Sequence, residues 1–342
     1  MLAGAREGLE RLGDAVGALL ATSAVANGLF CGSPWNLGIS GGFASPLAAE
    51  LIAQADLVLA FGASLNTWTT VHGKLIGPQA VVIQIDLEPS AIGVHRQVNV
   101  GVLGDASETA RALISELAAR SLTKLSWRSG ELAERIRTHR WHDEPYADRG
   151  DDMHIDPRTL SIALDTILPD QRALAVDSGH FMGYPAMYLG VPGPDAFVFA
   201  QAFMSIGLGL AGAIGAAVAR PDRLTVAALG DGGALMALPE LETAARLGLD
   251  LLVLIYNDAA YGAEVHHFAP GGHPLDTVRF PDTDFAAIGR ALGLEGITVR
   301  RPADLEAVRN WVEGKRRPAL VLDAKVAPGV VAEWLEEAFR GH

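Results

Sequence analysis

The 342-residue chain has a single cysteine, Cys31, which excludes an internal disulfide framework and suits a reducing compartment. No run of 18 apolar residues occurs, so no segment reads as a membrane-spanning helix. Charges at Arg6, Glu7, Glu10 and Arg11 stand where a secretory signal would be apolar, and a cytoplasmic location is expected. Positive charge is scarce as well: 27 lysines and arginines face 40 aspartates and glutamates, a net charge of -13. That balance argues against nucleic acid or an anionic membrane as partner, since both require a basic face. Any phosphate binding must therefore be local, through backbone groups or a metal. Neither an internal repeat nor a low-complexity tract is present.

What the chain does have is apolar sequence in short blocks. Hydrophobic residues make up 49% and charged ones 20%, which fits a buried α/β enzyme and not a disordered chain, and the length allows two domains. Over the first 120 residues, helical patterns at 5–16 and 46–53 alternate with strand patterns at 17–21, 57–61, 80–86 and 101–105. Near-continuous apolar strands separated by helices predict parallel sheets covered on both faces, and so an α/β fold of two doubly wound domains, residues 1–122 and 154–342. Between them, 123–153 is rich in Arg, His, Asp and Glu and reads as a linker whose Trp127 and Trp141 pack on a neighbouring domain. The second domain opens with a helix capped by Asp156-Pro157, followed by strands at 173–176, 224–229, 251–256 and 319–323.

The most telling stretch is Gly230-Asp231-Gly232-Gly233, followed by a crossing helix at about 237–247 and then by the apolar strand that ends in Tyr256-Asn257-Asp258. Two neighbouring strands thus deliver Asp231 and Asn257, 26 residues apart, to the edge where open parallel sheets bind ligands. The flanking glycines let the backbone approach a phosphate and leave N–H groups free at a helix start. A carboxylate, an amide oxygen, backbone carbonyls and a diphosphate would make the octahedral oxygen set that Mg²⁺ requires.

Gly-Asp-Gly with this spacing to the asparagine, the Pro239-Glu240-Leu241-Glu242-Thr243-Ala244 helix start and Tyr261-Gly262 together resemble the signature of thiamine-diphosphate enzymes of the acetolactate synthase and pyruvate decarboxylase superfamily. The resemblance covers nearly the whole chain, with 1–122 similar to the central domain lacking its first strand and 154–342 similar to the diphosphate-binding domain. It implies thiamine diphosphate and Mg²⁺ as cofactors, the metal being held by Asp231, Asn257 and the backbone carbonyl of Ala259. This sequence has Asp258 where a second asparagine is usual. It further implies that Gly179 and His180 lie near the diphosphate, that Gly230, Gly232 and Gly233 line it, and that Met204, Ser205 and Ile206 hold the aminopyrimidine, Ile206 imposing a bent cofactor. Tyr261 and Gly262 would follow the metal turn, with His266 or His267 as proton donor to a substrate. The activity implied is decarboxylation or carboligation of 2-oxo acids, a lyase or transferase reaction in which the cofactor supplies the electron sink.

Other readings stay open at this level. Gly207, Gly209 and Gly212 match a dinucleotide fingerprint with Asp231 at ribose-binding distance, although no clear strand precedes them. FAD in the first domain is an alternative, because some relatives bind it there. A non-catalytic scaffold or regulatory subunit of the same fold is another. The resemblance shows no counterpart of the family's pyrimidine-binding domain, so that domain or subunit is an expected partner, the chain alone is expected to be inactive, and a homo-oligomer is expected.

Overall fold

A computed structural model of the chain describes residues 4–120, 127–203, 205–314 and 318–338. They form two compact units, residues 1–144 and 145–342. Among the described residues no helix is long and apolar enough to cross a membrane.

The first unit contains a parallel pair, β1 (Leu20–Thr22) with β2 (Asn36–Ile39), and a parallel three-stranded sheet in the order β3 (Leu57–Phe61), β4 (Val81–Asp86), β5 (Val100–Leu103). Its helices begin where the sequence supplies caps. The Ser45 hydroxyl accepts from the Ala48 amide ahead of Pro46–Ala53, and the Asp105 carboxylate accepts from the Ser107 and Glu108 amides ahead of Ala106–Ala119. Ala60, Leu65, Ile76 and Val82 form one buried cluster, and Leu47, Leu51 and Leu132 another. The stretch read as a linker divides at the unit boundary. Its described part from Trp127 to Glu144 belongs to the first unit, where the Trp141 indole donates to the Phe43 carbonyl at 2.8 Å, while Trp127 stays exposed.

The second unit is a six-stranded parallel sheet in the order β10-β11-β9-β8-β6-β7, formed by β6 (Arg172–Val176), β7 (Phe197–Phe199), β8 (Leu224–Gly230), β9 (Leu251–Asn257), β10 (Glu295–Val299) and β11 (Leu320–Lys325). β6, β9 and β11 are buried at every position and β8 at all but its last, which is why their sequences run apolar without alternation. Leu210 and Ala213 on one side and Leu241, Phe285 and Leu294 with them pack against Leu229, Val253 and Val321. Three strands have no counterpart in the sequence reading: β2, and the edge strands β7 and β10. They are short, and β2 and β10 carry Asn, Gly, Glu and Thr in place of a continuous apolar run. The crossing helix expected at about 237–247 is Glu240–Leu247, and a separate short helix, Asp231–Met236, precedes it; Pro239 parts the two because it disfavours helical backbone at the residue before it.

Register brings the chemistry to one edge. Gly230 pairs with Tyr256, Val176 with Ala228, and Lys325 with Asn257, so β6, β8, β9 and β11 all end at about the same level. The loops that follow carry Asp177–His180, Asp231–Gly233 and Asp258–Gly262.

Candidate metal and cofactor site

Asp231 opens the helix Asp231–Met236 directly after β8 and is 3% exposed. Its Oδ1 accepts from the Gly232 amide at 2.8 Å and its Oδ2 from the Ala260 amide at 3.0 Å. Burial nevertheless dominates those hydrogen bonds and lifts its carboxyl to about 7. Asp258 is its neighbour across the site. Burial together with the Asp231 charge lifts its carboxyl to about 8. Two buried carboxyls, each favouring its protonated form, thus lie close enough for the charge of one to raise the other, and a hard divalent cation would let both ionise.

Asn257 is placed differently. Its side-chain amide donates to the Thr283 carbonyl at 3.2 Å and to Asp323 at 2.9 Å, while its Oδ1 accepts from the Ala259 amide at 3.1 Å. The structure therefore brings Asp231 together with Asp258, the departure from the family pattern, and directs Asn257 toward β11. Ala259 sits in the left-handed region at φ 56°, a conformation that costs an alanine free energy and that the turn enforces. Its carbonyl accepts from the Phe280 amide at 2.7 Å, leaving its second lone pair.

The floor of the site is glycine by necessity. A Cβ on Gly232 would fall 2.3 Å from the Tyr261 ring, and one on Gly233 would fall 2.6 Å from Asp177 Oδ2 and 3.4 Å from Ile206 Cγ2. Gly230 and Gly179 both abut Phe181, Gly179 with φ at 150°. Asp177, which the sequence reading passed over, is fully buried and accepts from the Gly207 amide at 2.9 and 3.1 Å, tying the 205–209 loop to the end of β6. Gly207 and Gly209 are needed for that attachment, and β7 ends at Phe199 with the 3₁₀ turn Ala200–Phe203 after it, so the glycines do not follow a strand directly as a dinucleotide fingerprint requires. Ile206 is 41% exposed beside Gly233, Ser205 is half-buried, and Met204 lies outside the described residues.

His180 is buried after β6, with its Nε2 3.6 Å from Asp258 Oδ2. Burial, reinforced by His266, pulls His180 down to about 3, so its contact with the protonated Asp258 is between neutral groups and is not an ion pair. His266 meets His180 edge-on, ring centroids 5.2 Å apart. His267 is exposed and meets Phe268 edge-on, ring centroids 4.7 Å apart. Of the two histidines singled out by sequence, the structure brings only His266 to the site.

Gly262 opens the helix Gly262–Phe268, and a Cβ there would stand 2.3 Å from His180 Cε1 and 2.4 Å from Asp258 Oδ2. Its backbone is outside the left-handed region, so Gly262→Ala adds only a clash. It is expected to cost about 1–3 kcal/mol, read from urea unfolding; a loss under about 0.5 kcal/mol, within the range of an ordinary surface substitution, would show that the helix can lift off the cluster freely.

Family models of known proteins match both units of the chain. Residues 177–322 match the family model described as the thiamine pyrophosphate enzyme C-terminal TPP binding domain, and residues 1–113 match the central domain of the same enzymes. The chain is similar to a sulfoacetaldehyde acetyltransferase of Castellaniella defragrans, 28% identical over 331 residues that cover 87% of this chain and 54% of the relative. It is also similar to an acetolactate synthase large subunit of Parasynechococcus marenigrum, 27% identical over 77% of this chain and 42% of the relative. The acetolactate synthase isozyme 2 large subunit of Escherichia coli is 26% identical over 84% of this chain and 51% of its own length. The chain spans about half the length of the curated relatives it matches.

Proposed function

Because the chain belongs to the thiamine pyrophosphate enzymes, carrying their central and C-terminal domains, we propose that the edge site of its second unit binds thiamine diphosphate through a divalent cation and serves decarboxylation or carboligation of a 2-oxo acid. The observation that carries the proposal is the placing of buried Asp231, tied to the Ala260 amide, close to buried Asp258 and above a floor where Gly232 and Gly233 admit no side chain. In this reading Asp231 and Asp258 hold the cation together with a carbonyl of the 258–260 turn, that of Ala259 being a candidate. Asn257 positions that turn instead of ligating. Gly179, Gly232 and Gly233 give the diphosphate a close backbone approach, Ser205 and Ile206 face the pyrimidine with Met204, and Tyr261 closes over Gly232. The bound cofactor supplies the electron sink for the departing carboxylate. His266 is the residue of the pair placed to move a proton near the cation.

The reading includes a pyrimidine-binding domain or subunit as partner, in a cytoplasmic homo-oligomer. Exposed Phe203, Ile206 and Leu208, with Met236 against Gly207, support an apolar docking face beside the site. Calorimetric titration of the chain with thiamine diphosphate tests the core of the proposal: binding is expected with Mg²⁺ and should weaken at least about tenfold in a chelator. Equal affinity in both conditions would refute cation-mediated binding.

A further inference from the structure

We propose that Asp177 and Ser178 are the positioning pair of the cofactor cradle: they pin the 201–207 segment at both ends and so fix the spacing between the surface offered to the pyrimidine and the glycine floor offered to the diphosphate. The proposal rests on the cofactor reading and deepens it by naming the residues that set the span of the site. At one end of the segment the Ser178 hydroxyl donates to Gln201 Oε1. At the other, both Asp177 oxygens share the Gly207 amide, at 3.1 and 2.9 Å. Asp177 is fully buried and Ser178 nearly so, and in such surroundings bulk water does not compete for either contact.

The end of β6 makes a rigid anchor for both. β6 is buried at every position and lies between β7 and β8, and the Asp177 amide continues the pairing by donating to the Ala228 carbonyl at 2.9 Å. Successive side chains leave a strand on opposite sides. Ser178 therefore reaches the Ala200–Phe203 turn that follows β7, while Asp177 reaches Gly207 and the floor.

The Asp177 side chain stands where the two halves of the cradle meet. A Cβ on Gly233 would fall 2.6 Å from its Oδ2, and one on Gly209 would fall 2.5 Å from its Cβ, so the floor and the start of the helix Gly209–Ala219 close on the same residue. Ile206, one residue before the pinned amide, is thereby held beside Gly233. Between the pins Phe203 and Ile206 stay exposed and are presented outward. Freed of a pin, the segment would hold Ile206 at a range of distances from Gly233. A ligand that must touch both would then bind only the fraction with the right spacing, whereas a ligand that touches the floor alone would not register the change.

That contrast is measurable by calorimetry of the full chain with thiamine diphosphate and with inorganic pyrophosphate, each in the presence of Mg²⁺. Asp177→Ala is expected to weaken thiamine diphosphate at least about tenfold, the loss that follows removal of one hydrogen bond to a charged group. Pyrophosphate should stay within about twofold of wild type, because it makes no use of the segment. Asp177→Asn keeps the size and an acceptor for Gly207, and should return thiamine diphosphate to within about threefold of wild type. Ser178→Ala removes only a hydroxyl and should shift thiamine diphosphate alone, in the same direction. In the ligand-free chain the Gly207 amide should exchange at least about tenfold faster in Asp177→Ala, with the β6 and β8 amides unchanged. A parallel loss of both ligands, undiminished thiamine diphosphate binding by Asp177→Ala, no recovery in Asp177→Asn, or unchanged Gly207 exchange would overturn the proposal. The two readings fail differently. If wild type and Asp177→Ala bind thiamine diphosphate equally, the positioning pair falls and the cofactor reading stands; if wild type binds none, the cofactor reading falls and the role of the pair with it.

Discussion

Asp231→Ala is expected to weaken Mg²⁺-dependent binding of thiamine diphosphate by at least about 100-fold, since loss of groups that merely orient a metal ligand already costs 10- to 100-fold. Asp231 accepts from both Gly232 and Ala260, so its removal takes away a charge and also the contact that holds the 258–260 turn to the helix Asp231–Met236. The wild-type binding should also depend on pH in a definite direction. Burial lifts Asp231 to about 7, and burial with the Asp231 charge lifts Asp258 to about 8, so the cation must displace protons to bind. Affinity is expected to rise with pH across that range and to level off above it. The cation-free fold runs the other way. Both carboxyls have folded values above the unfolded value near 4, so they favour folding at low pH, and stability falls as pH rises through 7 to 8. Calorimetry at pH 6, 7.5 and 9 reads the first slope and thermal unfolding in chelator reads the second; a flat binding profile together with undiminished binding by Asp231→Ala would remove Asp231 from the metal site.

The sequence disclosed the fold where burial is complete and concealed it where burial is partial. β6, β8, β9 and β11 are central, covered on both faces, and therefore written as uninterrupted apolar runs. β7 and β10 lie at the sheet edges, and with neighbours on one side only their residues satisfy a weaker constraint that leaves little periodicity. The same distinction applies to the site. The glycines beside Asp231 were legible, being forced by Tyr261 and Asp177, a requirement that local sequence records. The hydrogen bonds of Asn257 were not, because they depend on Asp323, a residue 66 positions away. Asp177 was passed over for a related reason. It looks like an ordinary strand end, and only the return of the chain at Gly207, 30 residues later, gives its carboxylate a task. A usable signal for β11 did exist: Asp323 and Lys325 interrupt a buried apolar strand, and charges in such a strand need partners.

Those partners set the last expectation, that Lys325→Met lowers stability around β9 and β11 by about 3–5 kcal/mol at pH 8, the usual cost of stripping one member from a buried pair. Lys325 is 4% exposed and Asp323 is fully buried; the ammonium lies 3.0 Å from Asp323 Oδ2, donates to the Thr283 carbonyl at 2.8 Å and pairs with Asp282. Asp323 in turn accepts from the Asn257 side chain and, at 3.1 Å, from the Phe285 amide. Burial already raises the Asp323 carboxyl against the lowering influence of Asn257 and Lys325. Without the ammonium that rise has less to oppose it, and protonation becomes the escape from an unpaired buried charge. The deficit should therefore shrink as pH falls toward 5, and Asp323→Asn in the Lys325→Met background should recover part of it at pH 8, because the neutral amide keeps an acceptor for Asn257. Hydrogen exchange of the β9 and β11 amides at the two pH values measures the loss where it arises. A deficit below about 1 kcal/mol, the scale of a surface ion pair, or one of equal size at pH 5 and pH 8, would mean that the Lys325 ammonium does not hold the Asp323 charge, and that the Asn257 turn is fixed by the backbone alone.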